Sequence, residues 1–271
     1  MSASLALMEI EGEDWAAPRP TWRQRMGSAR TRTLDWLLPP LCLACRVQVG
    51  SHGALCPSCW ATIDFIEAPV CDRLGTPLPF DLGPGALSPA AIASPPGFDR
   101  ARAAFRFDEA GRALIHGLKY GDRLEIAPAL AAWMARAGRE VLEGADALIP
   151  VPLHWTRLFR RRFNQAAELT RHLSAITGIA NEPMVLKRAR RTAHQVGLTR
   201  AQRLDNVSGA FRIAEERKAL VRGLHLVLVD DVLTTGATIE ACARVLRRAG
   251  AARIDVLTAA RVVDGPFAVH I

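Results

Sequence analysis

Two adjacent carboxylates precede a run of small polar residues in the segment LVLVDDVLTTGATIEAC, which begins at residue 226. The apolar start of this segment predicts a buried strand that ends at Asp230 and Asp231, and residues 237–249 have helical periodicity. Carboxylate oxygens at the end of a strand can accept hydrogen bonds from sugar hydroxyls or hold Mg²⁺ through water. Because a helix N-terminus follows directly and favours an anion, the segment predicts a site for a sugar phosphate.

The phosphate would lie in the loop between strand and helix, where backbone N–H groups and threonine hydroxyls converge. Gly236 allows the backbone to close around the anion. No Gly-Lys-Ser/Thr follows, so the loop is not the kind that binds the β and γ phosphates of a nucleoside triphosphate. The alternative, an ordinary strand, turn and capped helix, leaves two consecutive acids beside small polar residues unexplained. The predicted loop comprises Thr234, Thr235, Gly236, Ala237 and Thr238.

A second chemical feature is a cluster of cysteines near the N-terminus. Five of the six cysteines lie between residues 42 and 71, in the order CLAC, CPSC and a single Cys71. Two Cys-x-x-Cys pairs can present four thiolates to one tetrahedral Zn²⁺, which makes a closed structural site without an open position for catalysis. A redox pair or four unrelated buried cysteines are the alternatives. The predicted ligands are Cys42, Cys45, Cys56 and Cys59.

Basic residues are concentrated in one part of the chain. The 271 residues carry 35 Lys+Arg and 27 Asp+Glu, a formal charge of +8. Residues 150–206 contain 11 basic and three acidic residues, so this segment alone accounts for the whole excess. The concentration favours an acidic partner, although a run of charge is also typical of a solvated surface.

Strands alternate with helices from residue 98 onward. This order predicts a mostly parallel α/β sheet, whose ligands lie at the carboxyl ends of the strands. The predicted strands cover 101–107, 145–153, 225–231 and 252–262, and the predicted helices cover 113–120, 126–141, 164–177 and 237–249. No repeat period is visible, no apolar run is long enough to span a membrane, and acidic residues stand where a signal peptide would be apolar. We therefore expect a cytoplasmic protein.

The ordered motifs resemble those of a known family. VLVDDVLTTGAT resembles the phosphoribosyl pyrophosphate (PRPP) signature of type I phosphoribosyltransferases. LLPPLCLAC, CPSCW, HGLKYGDR, IPVPLHWTRLFRRRFNQA and HQVGLTRAQRLDNVSGAF precede it in an order similar to that of the ComF family (ComFC-type and GntX-like competence proteins), from Leu34 to the C-terminus. One departure is that Leu74 stands where the family often has a second cysteine after Cys71. This departure favours a single zinc held by the first two pairs.

The resemblance implies a fold and a domain organisation. It implies a type I phosphoribosyltransferase fold, a twisted, mostly parallel sheet flanked by helices with a hood, plus a small N-terminal zinc module with four cysteine ligands. The hood would be built by the zinc module and residues 98–122. The expected organisation is a flexible tail at 1–33, a double zinc-ribbon-like module at 34–76, a Pro/Gly-rich connector at 77–97 and the phosphoribosyltransferase domain at 98–271.

The resemblance also implies site residues. In the PRPP site, Asp230 and Asp231 would bind the ribose hydroxyls, and residues 234–238 would bind the 5-phosphate. Two further loops would hold the pyrophosphate and close over the ligand, and they contribute Pro152, Leu153, His154, Arg157, Arg162, Gln195, Arg200 and Arg203. Lys119 and Tyr120, in HGLKYGDR, would reach the same cleft.

Two functions follow from the resemblance. The first is a Mg²⁺-dependent phosphoribosyltransferase that transfers ribose 5-phosphate from PRPP to an acceptor, with a part in DNA uptake during natural transformation. The alternative is a non-catalytic competence factor that senses PRPP or binds single-stranded DNA, beside a ComFA-type helicase. Against a DNA platform, only 6% of the residues are aromatic and few rings are available to stack bases.

Overall fold

The computed structural model describes residues 39–121, 123–154, 158, 162–190 and 209–263. The chain separates into two compact units, Met1–Pro40 and Leu41–Ile271. Only Pro39 and Pro40 of the first unit are described, so the architecture below is that of the second unit. The tail expected at residues 1–33 lies outside the described residues.

Strands and helices alternate along the second unit, as the hydrophobic pattern predicts. The strands of the described residues are β1 (Arg100–Arg106), β2 (Ala147–Pro150), β3 (Ala180–Asn181), β4 (Leu186–Arg188), β5 (Phe211–Ile213), β6 (His225–Leu233) and β7 (Arg253–Arg261). The α-helices are α1 (Pro57–Ala61), α2 (Pro89–Ala93), α3 (Glu109–Tyr120), α4 (Ala127–Ala137), α5 (Arg139–Leu142), α6 (Gln165–Thr177) and α7 (Ala237–Arg248), and two 3₁₀ segments cover Leu124–Ile126 and Glu215–Leu220.

Five strands form one parallel sheet in the order β1-β7-β6-β2-β3, and β4 and β5 form a separate antiparallel pair. The side chains of β6 alternate between two cores, because successive residues of a strand point to opposite faces. Leu226 and Leu228 pack on the side of α7, whereas Val227 and Val229 pack on the side of α3, α4 and α6. Burial on both faces explains the uninterrupted apolar run of this strand. The α/β prediction is confirmed.

Two elements differ from their predicted bounds. The helix expected at 126–141 is divided at Gly138, where a Cβ would lie 2.6 Å from a methyl carbon of Leu257 in the sheet. Strand β6 does not end at the acid pair, because β7 continues beside it and pairs with it as far as Leu233 and Arg261. The acids therefore belong to the strand itself.

The N-terminal part of the unit packs against the sheet edge formed by β1. Phe65 pairs with Phe105 in an antiparallel bridge, and the N–H of Ile66 donates to the carbonyl of Ala104. Residues 98–122, expected in the hood, instead divide between edge strand β1 and helix α3. The connector expected at 77–97 contains α2. Among the described residues, no helix has the length and apolarity to cross a membrane.

Candidate active site and metal centre

A cleft of about 180 Å³ opens at the carboxyl end of β6, where the chain turns into α7. This is the position at which parallel α/β sheets bind ligands. The predicted site residues that line it are Lys119, Leu153, Asp230, Asp231, Thr234, Gly236, Ala237 and Thr238. Residues from separate parts of the chain therefore meet at one place.

The two acids of the cleft have different surroundings. They are consecutive residues of a strand, so Asp230 continues the α7 face and Asp231 continues the α3 face. On the α3 face, Nζ of Lys119 lies 3.0 Å from Oδ2 of Asp231, and both side chains are largely buried. The N–H of Asp231 donates to Oδ1 of Asp230 at 2.9 Å. Helix α3 thus supplies a cation to one carboxylate and not to the other.

This asymmetry affects the protonation of the pair. Burial raises the pKa of Asp230 to about 7, and the negative charge of Asp231 adds to the increase. The N–H of Asp231 and the positive charges of Lys119 and Arg188 act in the opposite direction but do not outweigh the burial. Near neutral pH, Asp230 is therefore divided between its acid and carboxylate forms.

The predicted phosphate loop has the backbone that an anion site needs. Gly236 is the N-cap of α7 and has φ 78°, a left-handed conformation that favours glycine. No side chain caps the first turn of the helix. The one acid in that turn, Glu240, accepts both of its recorded hydrogen bonds from the N–H of Gly97, at 2.7 and 2.9 Å. Its carboxylate is therefore held by another segment.

The remaining predicted residues fall into two groups. Pro152, His154, Tyr120, Thr235 and Arg162 are described but do not line the cleft. Tyr120 is 59% exposed and its ring contacts His116, while Arg162 has a left-handed backbone with φ 65°. Arg157, Gln195, Arg200 and Arg203 lie outside the described residues, so their roles stay predictions.

Three further polar residues line the cleft: Asn164, Gln165 and Arg188. Asn164 caps α6 by accepting from the N–H of Ala166, and its amide donates to the carbonyl of Val151, which ties the helix to the end of β2. Asparagine before an apolar period is a recognisable N-cap signal. Arg188 ends β4, and its charge could be assigned to this cleft only once the pairing of β4 with β5 was known.

The four predicted zinc ligands form one cluster. The sulfur atoms of Cys42, Cys45, Cys56 and Cys59 all lie within 4.8 Å of one another, and those of Cys45 and Cys56 are 3.7 Å apart. A tetrahedral Zn²⁺ with Zn–S bonds of about 2.3 Å separates its sulfurs by about 3.8 Å. The donor set and its spacing therefore fit one structural zinc ion.

Comparison with known proteins assigns both parts of the chain. Residues 33–91 match a family described as a double zinc ribbon domain, and residues 145–267 match one described as a phosphoribosyl transferase domain. These matches confirm the predicted zinc ribbon and phosphoribosyltransferase fold. Among solved structures, the allosteric regulatory enzyme of purine biosynthesis is similar at 21% identity with a TM-score of 0.35, over 53% of this chain and 30% of that chain.

Full-length relatives carry names from DNA metabolism. The chain is 34% identical to the DNA utilization protein YhgH of Salmonella typhimurium, over 81% of this chain and 96% of the relative. It is 32% identical to YhgH of Escherichia coli K12 and 30% identical to competence protein F of Haemophilus influenzae, with the same coverage. Since these similarities extend over nearly the whole of each relative, the chain belongs to the ComF family of competence and DNA utilization proteins, with a phosphoribosyltransferase domain.

Proposed function

We propose that the cleft binds PRPP together with Mg²⁺, and that the protein transfers ribose 5-phosphate from PRPP to a nucleophilic acceptor. One observation carries the proposal: the acid pair and the uncapped N-terminus of α7 open into the same cleft. Carboxylates suit the hydroxyls of ribose, and a helix N-terminus suits a phosphate monoester. A sugar phosphate presents both groups on one small molecule.

The charges of the described cleft favour a polyanion despite the two acids. Lys119 neutralises Asp231 at 3.0 Å, Asp230 is partly protonated near pH 7, and Arg188 adds a positive charge. The two cations therefore offset the acid pair, so PRPP meets little net repulsion on entry. Lys119 and the ribose hydroxyls would compete for Asp231, so ligand binding is expected to free the lysine for a phosphate oxygen.

Each group then has a defined part in the transfer. Amides of α7 hold the 5-phosphate, and the acid pair fixes the ribose, so that C1 faces the acceptor. The bond between C1 and the pyrophosphate oxygen breaks while the bond from the acceptor forms, and the acceptor loses its proton. Positive charge on C1 is stabilised by the nearby carboxylates, and basic residues stabilise the leaving pyrophosphate. Mg²⁺ held by carboxylates and phosphate oxygens supplies further neutralisation.

Calorimetry with PRPP and Mg²⁺ tests the binding. Wild-type protein is expected to bind PRPP saturably, and Asp230→Asn combined with Asp231→Asn is expected to abolish the binding. Asp81→Asn is the matched control, because this exposed carboxylate accepts from the N–H of Gly83 in a surface turn. Undiminished binding in the double variant would refute the site.

Turnover is tested separately by pyrophosphate release from PRPP over a panel of nucleobases and other amines. Release that depends on one acceptor supports the transferase. Saturable binding without release for any acceptor favours the alternative, a PRPP-sensing competence factor.

A role in DNA utilization is the second part of the proposal, and the names of the relatives favour it. Single-stranded DNA and a ComFA-type helicase are the partners proposed from family membership. If the basic residues of segment 150–206 bind DNA, replacing Arg160, Arg161 and Arg162 should flatten the salt dependence of single-stranded DNA affinity. An unchanged slope would assign these arginines to the pyrophosphate instead.

A further inference from the structure

The backbone around Cys42 recurs around Cys71, 29 residues further along the chain. Leu41 pairs with Gln48 and Val70 pairs with Pro77, each in an isolated antiparallel bridge. Within each turn, the cysteine N–H donates to the carbonyl five residues later, at 2.8 Å in both cases. The N–H of Arg46 donates to the carbonyl of Cys42 as that of Gly75 does to Cys71.

The second half of the motif recurs as well, 32 residues along. Cys56 is the N-cap of α1 and accepts from the N–H of Cys59, whereas Ser88 is the N-cap of α2 and accepts from the N–H of Ala91. A proline follows each cap. The connection between the halves is three residues longer in the second copy. We call residues 41–61 the first ribbon and residues 70–93 the second ribbon.

The two halves meet in the same way in both ribbons. The N–H of Cys56 donates to the sulfur of Cys42 at 3.3 Å, and the N–H of Ser88 donates to the sulfur of Cys71 at 3.2 Å. Both sulfurs belong to fully buried residues. Residues 42, 45, 56 and 59 of the first ribbon therefore correspond to residues 71, 74, 88 and 91 of the second.

The corresponding donors do not fit zinc in the second ribbon. Three of the four cysteine positions hold Leu74, Ser88 and Ala91, which leaves Cys71 as the one thiolate. Structural zinc sites need four ligands from cysteine, histidine or carboxylate. The double zinc ribbon match therefore describes the fold of both ribbons, whereas the ligand set for zinc is present in the first alone.

Hydrogen bonds surround the sulfur of Cys71 in place of a metal. Burial raises the pKa of Cys71, but hydrogen bonds from the hydroxyl of Ser88 and from the N–H groups of Leu74, Ser88 and Arg73 outweigh it and lower the pKa. The hydroxyl of Ser88 also accepts from the N–H of Ala91 at 3.3 Å. Ser88 thus connects the two halves of the ribbon, as a metal ion would.

Contacts with the sheet hold the same turn from outside. The N–H of Ala101 in β1 donates to the carbonyl of Arg73 at 2.9 Å, and Leu74 packs against the core that contains Ala101. The guanidinium of Arg261 in β7 donates to the carbonyl of Leu74. The place of one lost ligand is therefore filled by an apolar contact with the transferase sheet.

We infer that the second ribbon is a duplicated zinc ribbon that folds without metal, and that Cys71, Leu74, Ser88 and Ala91 mark a latent tetrahedral zinc site. Ser88 and the edge of the sheet replace the ion. Restoring cysteine at the three other positions would then restore zinc binding, because the backbone of the site is already formed.

Zinc content tests this inference on the full-length protein. One zinc per chain is expected for wild type and for Cys71→Ser, and two are expected for Leu74→Cys with Ser88→Cys and Ala91→Cys. Two zinc ions in wild type, or a loss of zinc in Cys71→Ser, would overturn the inference. A folded triple variant that still binds one zinc would overturn it too.

A second variant covers the case in which the triple variant does not fold. Leu74→Cys with Ser88→Cys provides three thiolates, and Co²⁺ substitution reports on them through the thiolate absorption band. The band per chain is expected to exceed that of Co²⁺-substituted wild type, and an unchanged band would overturn the inference.

Discussion

The first and second ribbons share one backbone but are stabilised differently. The first ends in an exposed turn, where Cys45 is exposed and Val47 is 52% exposed, and its four thiols converge on one point. The second has Leu74 against the core and Ala91 at 1% exposure, and it retains one cysteine. A small ribbon therefore needs metal where solvent surrounds its turns, whereas burial against a sheet can replace the metal.

Removing the metal should separate the two ribbons most strongly. Cys42→Ser is expected to lose the zinc and to unfold the first ribbon, because structural zinc contributes on the order of 10 kcal/mol to the folding of such modules. Hydrogen exchange measured by mass spectrometry should show loss of protection at residues 41–61 and retained protection at residues 70–93. Treating wild type with a strong chelator should give the same pattern.

The matched control is Cys71→Ser, which should keep both the zinc and the protection of the first ribbon. If chelation exposed both ribbons equally, the second would depend on the first or on a metal of its own, and the contrast between the ribbons would be lost.

The sequence predicted the first ribbon because its chemistry lies in the spacing. Cys-x-x-Cys pairs report a metal site whatever surrounds them. The second ribbon gave no such signal, and the absence of a repeat period predicted from the sequence was wrong for the structure. Three ligand positions had changed residue type and the connection had lengthened by three residues, so no fixed period survived. Hydrogen bonds to Cys71 depend on backbone geometry, which only the fold displays.

The transferase site was predictable to a similar extent. Asp230, Asp231 and the following loop are contiguous, and a strand followed by a helix N-terminus fixes their arrangement locally. That Asp231 pairs with Lys119 while Asp230 does not depends on which helix covers which face of β6. Arg188 reaches the cleft from the end of β4, a short strand that the sequence pattern did not predict. The contacts that determine protonation of the acid pair thus come from topology.

Gly75→Ala should be the most damaging single substitution in the second ribbon. Gly75 has φ 63°, and a Cβ there would lie 2.2 Å from the carbonyl oxygen of Ala101. The left-handed conformation costs about 1–2 kcal/mol for a non-glycine residue, and the clash with β1 adds roughly 1–3 kcal/mol. Chemical denaturation should show a loss of about 3 kcal/mol in the free energy of unfolding. Gly53→Ala, which has a similar φ but no neighbour within 4 Å, should lose only the conformational part.

Cys71→Ala should have a smaller effect that depends on pH. The substitution leaves the buried N–H of Ser88 without its acceptor, at a cost of about 1–3 kcal/mol. The pKa of Cys71 is lower in the folded protein than in the unfolded chain, so the thiolate contributes stability above the unfolded pKa and loses it as the pH falls through the folded pKa. The stability difference between wild type and Cys71→Ala should therefore be larger at about pH 9 than at about pH 6. A difference that does not vary with pH would show that the sulfur acts as a neutral packing group.

Arg46→Gly should produce the smallest change and the opposite sign. Arg46 occupies the position of Gly75 in the first ribbon and has φ 69°, so it bears the cost of a left-handed backbone that Gly75 avoids. Glycine would relieve about 1–2 kcal/mol but would lose roughly 0.4–1 kcal/mol through the greater freedom of the unfolded chain. The exposed ion pair of Arg46 with Glu125 at 3.9 Å contributes little, since such pairs are worth about 0–1 kcal/mol. A gain of up to about 1 kcal/mol is expected in zinc-loaded protein, with Arg46→Ala unchanged as the control. Because the metal holds this turn and β1 holds the other, a loss on Arg46→Gly would mean that the arginine contacts, rather than the zinc, stabilise the first turn.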